Sequence, residues 1–244
     1  MNLLENSSIK NIVFHLLFYS LAIFTKESGI VLPIIYFAYC VLIWKKKLSL
    51  KTMLVITFSL MVVILVWILA RNNVLGNLYP NLEMIIRASF YNIPYGLLSY
   101  FGKIIIPVNL SVFSVVTKVI NYYWLFGVLL LVVLLIFSKK KRINYIYFGL
   151  IWFIVQLLPL FIGVSKNEPL PILEHRLYFS IIGVFIIIGE IDYFKRMVLS
   201  KYVYIILMGI LLIYYIIGSK HSEGFKNAIT YWERAYKDSP SSSL

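Results

Sequence analysis

Apolar residues in this chain come in blocks with no polar face. The blocks lie at roughly 12–24, 30–44, 53–70, 122–137, 145–162, 177–189 and 202–217. None alternates apolar and polar with the period of two that a strand of a membrane barrel needs. None carries the one-sided stripe of a soluble helix, and a helix apolar all round belongs in lipid or in a large core. The pattern predicts an all-α chain, a polytopic helical membrane bundle with about seven transmembrane helices. Several blocks are shorter than the ~20 residues that cross a bilayer upright, so flanking aromatic and polar residues must complete them. Composition agrees. The chain is 61% hydrophobic with mean hydropathy +0.88, against about 45–50% apolar for a soluble domain.

The net charge of +13 first suggests nucleic acid, but its distribution excludes that partner. The cations cluster in short connections: Lys45, Lys46, Lys47 and Lys51; then Lys139, Lys140, Lys141 and Arg142; then Lys195, Arg196 and Lys201. That is the positive-inside pattern of a membrane protein. With all three clusters cytoplasmic, the outer segments are 25–29, 71–121, 163–176 and the tail from 218. Glu27, Glu83, Glu168, Glu174, Glu223, Glu233 and Asp238 then lie outside. Glu190 and Asp192 lie inside, on a face that reads as plain basic anchoring. The expected organisation is a transmembrane domain over 1–218 and an extracytoplasmic tail over 219–244, in the plasma (inner) membrane of a prokaryote. No small-residue cleavage site follows the first block, so no cleavable signal peptide is expected. Cys40, the lone cysteine, sits in an apolar block and gives neither a disulfide nor a zinc spacing. No metal site is expected.

One stretch breaks the pattern. Residues 82–107 are apolar and aromatic but include Glu83, Arg87, Asn92, Pro94 and Lys103. Polar residues and proline at membrane depth are tolerated only against protein or a wet cavity. The expectation is an outer-face amphipathic helix or a re-entrant hairpin, forming a lid or wall. A bundle helix packed between neighbours is the plain alternative.

Candidate chemistry gathers on the outer side. Glu174-His175-Arg176 precedes an apolar block. Arginine offers a planar fork suited to phosphate, histidine titrates near neutral pH, and Glu174 could orient the arginine or accept a proton. A polar helix start explains Glu174 equally well, through the helix dipole. It explains Arg176 poorly. Lys26-Glu27 fills a five-residue hairpin between two blocks, where a loop meeting water is the bland reading. Arg71, Arg87 and Lys103 add cations to the same side, and solvation of a long loop competes for each. Several cations at an outer surface suit an anionic lipid headgroup or a lipid-linked phosphate. The chain has no Walker A loop, G-x-G-x-x-G, H-E-x-x-H or G-x-S-x-G, which argues against ATP-driven transport and serine hydrolysis.

Three stretches resemble a known family. Residues 21–33, with Lys26-Glu27 and then Leu32-Pro33, resemble the "L-x-K-E-x-x-x-x-L-P" hairpin of membrane glycosyltransferases of the GT-C fold. Tyr100, Lys103, Pro107, Leu110 and Ser111 resemble that family's "Y-x-x-K-x-x-x-P-x-x-L-S". Gly149, Trp152-Phe153, Leu157-Leu158-Pro159 and Glu174-His175-Arg176-Leu177-Tyr178 resemble its "G-x-x-W-F … L-L-P … E-H-R-L-Y" block. The closest branch is the transmembrane-and-tetratricopeptide type related to O-mannosyltransferases. In the tail, Ala228, Trp232, Ala235 and Pro240 have the spacing of a tetratricopeptide helix.

The resemblance implies transfer of a sugar from a polyprenyl-phosphate carrier to a protein or glycan acceptor on the extracytoplasmic face. It implies Lys26, Arg87, Lys103, His175 and Arg176 as substrate-binding residues and Glu27 and Glu174 as orienting acids. The family's catalytic acid sits in the first outer loop. Here only Asp192 and Asp238 are aspartates, so that acid is unassigned. The chain resembles the C-terminal membrane half of such an enzyme, partnered by a separate N-terminal half or subunit. No cofactor is required by these residues, and a divalent metal would belong to the complete enzyme. The alternatives are a non-catalytic membrane scaffold for a repeat domain or partner subunit, and a polysaccharide polymerase or ligase.

Overall fold

A computed structural model describes residues 9–44, 50–75, 93–94, 96–104, 110, 114–115, 123–137, 142–161, 171–172, 176–191 and 201–238. Apart from one short ladder, the regular structure among these is helical. The chain divides into two compact units, residues 1–79 and 80–244.

In the first unit, α1 (Ile9–Thr25) leads through a 3-10 turn (Glu27–Val31) into α2 (Leu32–Tyr39), which ends in a π turn (Cys40–Trp44). Helix α3 (Leu50–Leu75) follows. The α1–α2 connection is tight. A Cβ on Gly29 would lie 3.0 Å from the Ile23 backbone, so any other residue there would push the two segments apart by a few tenths of an ångström. Pro33 stands in the first turn of α2, where its missing N–H has no intrahelical acceptor to serve. Tyr19 and Ile23 pack on Ile56 and Leu60 of α3. Cys40 is buried and acts as a packing residue.

In the second unit, the helical segment 96–104 is followed by β1 (Ser114–Val115), α4 (Tyr123–Phe137) and α5 (Ile143–Phe161). Then come β2 (Pro171–Ile172), α6 (Leu177–Ile188), α7 (Lys201–Ser222), a 3-10 turn (Glu223–Phe225) and α8 (Ala228–Asp238). Strands β1 and β2 pair antiparallel, Ser114 opposite Ile172 and Val115 opposite Pro171. The core of this unit is Tyr100, Phe101, Phe153, Leu157, Leu160 and Val184.

Among the described residues, four helical stretches are long and apolar enough to cross a membrane: Glu27–Trp44, Thr52–Val74, Ile143–Leu160 and Tyr204–Phe225. Many of their large apolar side chains are exposed, among them Phe58, Leu65, Ile206 and Leu212. In water such a surface invites association; in lipid it is the expected exterior. Helices α1, α4 and α6 have 17, 15 and 12 residues.

Two elements differ from the sequence reading. Helix α7 runs through Gly218 to Ser222, past the expected start of the tail. A glycine inside a helix costs only about 1 kcal/mol, which the surrounding apolar run overrides. The 96–104 part of the irregular stretch is no exposed amphipathic helix. Tyr100 is fully buried there and Phe101 nearly so, against α5 and α6. For these residues the bundle helix is the correct alternative; residues 82–92 lie outside those described.

Candidate functional site

The two units contribute separate charged corners. In the first, Lys26 is the extended residue that separates α1 from the 3-10 turn. Its N–H donates to Ala22 O at 3.0 Å and its carbonyl accepts from Gly29 N–H at 2.9 Å. Glu27 begins the turn and pairs with Arg71 of α3 through Nη1. The Arg71 guanidinium also lies 5.2 Å from the centroid of the Trp67 ring, one turn earlier on α3. Arg71 therefore closes the hairpin end of this unit. The sequence supplies Lys26 and Glu27 as neighbours; the helix packing adds Arg71, 44 residues away.

In the second unit, α5 and α6 lie antiparallel in a fixed register. Arg142 meets Glu190, and seven residues inward Gly149 meets Gly183. A Cβ on Gly149 would lie 2.6 Å from the Gly183 carbonyl oxygen, and one on Gly183 would strike the Gly149 carbonyl and the Phe153 amide nitrogen. One turn further on, Trp152 Nε1–H donates to the Phe179 carbonyl at 2.8 Å. Small residues let two backbones approach where lipid provides no hydrophobic drive. Three residues of the "G-x-x-W-F" motif thus have packing tasks: Gly149 permits contact, Trp152 bonds across the seam, and Phe153 fills the core.

Arg142 and Glu190 close one end of this seam. Arg142 Nη2 donates to Oε1 at 2.6 Å, Nε donates to both oxygens at 3.1 and 3.2 Å, and the Arg142 backbone N–H donates to Oε2 at 3.0 Å. The Glu190 side chain is 3% exposed and that of Arg142 62%. The guanidinium stacks 3.9 Å from the Tyr145 ring centroid. The hydrogen bond to Glu190 raises the Arg142 pKa above its ordinary value, against a smaller opposing effect of desolvation. This corrects the expectation of plain basic anchoring on that face. The sequence signal was there: an arginine just before one apolar block and a glutamate just after another, at ends that an antiparallel pair brings together.

The opposite end of the seam holds Arg176. It caps the start of α6 with φ −78° and ψ −12° and is partly buried. Arg176 precedes Glu190 by 14 positions along α6, a rise of about 21 Å, roughly two thirds of the ~30 Å hydrocarbon core of a bilayer. The β1–β2 ladder ties the chain before Glu174 to Ser114 and Val115. Leu177, next to Arg176, packs on the core that holds Tyr100.

Lys103 lies on the 96–104 helix but is only 6% exposed. It is a buried residue of the bundle and not an outward-facing cation. Arg87, Glu174 and His175 lie outside the described residues. Among the described residues no three His, Cys, Asp or Glu side chains gather as a metal site, so these residues do not build a donor set for a divalent ion. No protein-family model, curated protein or solved structure matches this chain.

Proposed function

We propose that this chain is the membrane part of a glycosyltransferase that uses a polyprenyl-phosphate-linked sugar, acting at the membrane face where α6 begins. In this reading the spans are α1, the 27–44 stretch, α3, α4, α5, α6 and α7. The shorter helices cross with the help of flanking residues, and the end of α7 faces the same side as Arg176. That side is the extracytoplasmic face of a prokaryotic plasma membrane. The catalytic acid comes from another segment or subunit.

The observation that carries the reading is the position of Arg176. It sits at a helix start, at the opposite end of the α5–α6 seam from the Arg142–Glu190 pair, a rise of about 21 Å along α6. An arginine at the start of a membrane helix can extend its long side chain to lipid phosphates. Its fork holds two phosphate oxygens at once, and the N-terminus of α6 adds unpaired backbone N–H groups that favour an anion. His175 and Glu174 complete the site in this reading, as a second donor and as the acid that orients Arg176.

Carrier binding tests it without needing turnover. The full chain in nanodiscs is titrated with a long-chain polyprenyl phosphate and, as control, with the polyprenol that lacks the phosphate. A charge-assisted hydrogen bond contributes about 1.5–3 kcal/mol, so Arg176→Ala is expected to weaken phosphate-carrier binding by about tenfold to a hundredfold. Lys26→Ala and Arg87→Ala run in the same assay report whether those cations share the task. Equal binding of polyprenol and polyprenyl phosphate by the unaltered chain, or unchanged affinity in Arg176→Ala, removes the phosphate role.

A further inference from the structure

We propose that α8 and the turn before it form an interfacial helix that lies on the bilayer surface and recognises anionic lipid headgroups. The sequence of this segment makes two parallel stripes. Phe225, Ile229, Trp232 and Tyr236 recur at spacings of four, three and four, and all four are exposed, at 49%, 71%, 53% and 72%. One residue further along, Lys226, Thr230, Glu233 and Lys237 recur at the same spacing and line a cleft of about 620 Å³ with Lys220, Glu223, Gly224 and Arg234, in which the cations outnumber the two acids. A helix of this kind, with an aromatic stripe flanked by lysines, lies in the plane of a membrane surface with its apolar face in the headgroup boundary.

The third side of α8 is already used. Ala235 is fully buried, and Tyr231 packs near Phe225, their ring centroids 5.9 Å apart. The start of the helix is fixed by Asn227, whose Oδ1 accepts from the Thr230 N–H at 2.8 Å. So the aromatic stripe is not turned outward by a loose tail; the helix is held with that stripe exposed.

Its depth follows from one contact. Arg234 Nη1 donates to the Lys220 carbonyl at 3.2 Å. Lys220 lies five residues before the end of the apolar stretch Tyr204–Phe225, or about 7 Å along the helix axis. Helix α8 therefore turns back beside the last turn of a membrane-crossing helix, at the level where headgroups begin. Trp and Tyr are enriched at that level because their rings are apolar and their N–H and O–H groups are polar. The cations favour anionic phosphates, each lysine near such a surface adding roughly a fivefold preference. Charge complementarity and continuity with α7 both select lipid as the occupant.

The test uses the full chain, with Cys40→Ala as background, reconstituted in phosphatidylcholine vesicles and in phosphatidylglycerol-rich vesicles. Nitroxides are placed at Ile229→Cys, Trp232→Cys and Tyr236→Cys, and at Thr230→Cys and Lys237→Cys. Collision with oxygen, which concentrates in lipid, is compared with collision with a water-soluble nickel complex. The stripe positions are expected to favour oxygen and the other two nickel, most strongly in the phosphatidylglycerol-rich vesicles. The pair Lys226→Glu and Lys237→Glu, in the stripe-labelled chains, is expected to lower the surface-bound population by about thirtyfold or more. Uniform nickel access in both lipids overturns the proposal. So does protection of the stripe from both reagents, which marks a protein partner or a second copy as the occupant. Hydrogen exchange of the unlabelled, unaltered chain gives a check free of substitutions: amides over 228–238 exchange more slowly in phosphatidylglycerol-rich vesicles, and equal exchange in the two lipids counts against it.

Discussion

Gly183→Leu is expected to open the seam between α5 and α6. The new side chain meets backbone, the Gly149 carbonyl and the Phe153 amide, with the Phe153 Cβ at 3.1 Å. No rotamer change removes a backbone atom, so the helices must separate. Separation breaks the Trp152 to Phe179 hydrogen bond and loosens Phe153 and Val184 in the core. Overpacking a well-filled site costs about 1–3 kcal/mol before such secondary losses, so a total of about 3 kcal/mol or more is expected. Unfolding of the reconstituted chain in mixed micelles titrated with a denaturing detergent measures it. Gly209→Leu is the matched control. A Cβ there meets nothing within 4 Å, and leaving glycine improves helix propensity by up to about 1 kcal/mol. Equal effects of the two substitutions would show that the seam does not depend on close backbone approach.

The second large effect concerns the Arg142–Glu190 pair, and its direction is less obvious. Arg142 is the exposed partner and Glu190 the buried one. Glu190→Ala releases a guanidinium that simply rehydrates. Arg142→Ala takes from a buried carboxylate the hydrogen bonds donated by Nη2 and Nε. Removing one partner of a buried pair is costly when the group left behind is the buried one. Arg142→Ala is therefore expected to destabilise more than Glu190→Ala, although the substituted side chain is mostly in solvent. A pH dependence separates this from lost packing. A buried carboxylate that loses its guanidinium partner is less favourable in its charged form, so the Arg142→Ala penalty shrinks as pH falls and grows as it rises. Glu190→Gln in the Arg142→Ala background removes that slope. A flat profile, or a larger loss in Glu190→Ala, would overturn the assignment of the buried carboxylate as the group at risk.

These two sites show what the motifs were carrying. Gly149, Trp152 and Phe153 are part of the resemblance to GT-C glycosyltransferases, yet each has a mechanical task in one helix–helix seam. A block motif can persist in a sequence because backbones must touch. In the proposed function, the chemistry falls to the far end of the seam, where Arg176 starts α6. The sequence pointed to that triplet because charge beside an apolar run is expensive, an argument that needs no coordinates. It misjudged Lys103 for a related reason. A lysine in an aromatic stretch reads as an outer-surface cation until packing shows which way its helix faces.

By itself the sequence determined the helices and their lipid setting. Apolar runs with no polar face leave the backbone only one way to satisfy its hydrogen bonds in a bilayer, so elements, class and approximate ends follow from composition along the chain. Charge clusters between the runs also indicated which ends group together. Only the tertiary structure decided the partners. Arg71 with Glu27, Arg142 with Glu190 and Gly149 with Gly183 are separated by 44, 48 and 34 positions. Their pairing depends on helix register, which hydropathy does not encode, because an all-apolar helix has no stripe to fix its rotation. Small residues and paired charges fix it instead, and they show their meaning only once two helices are side by side.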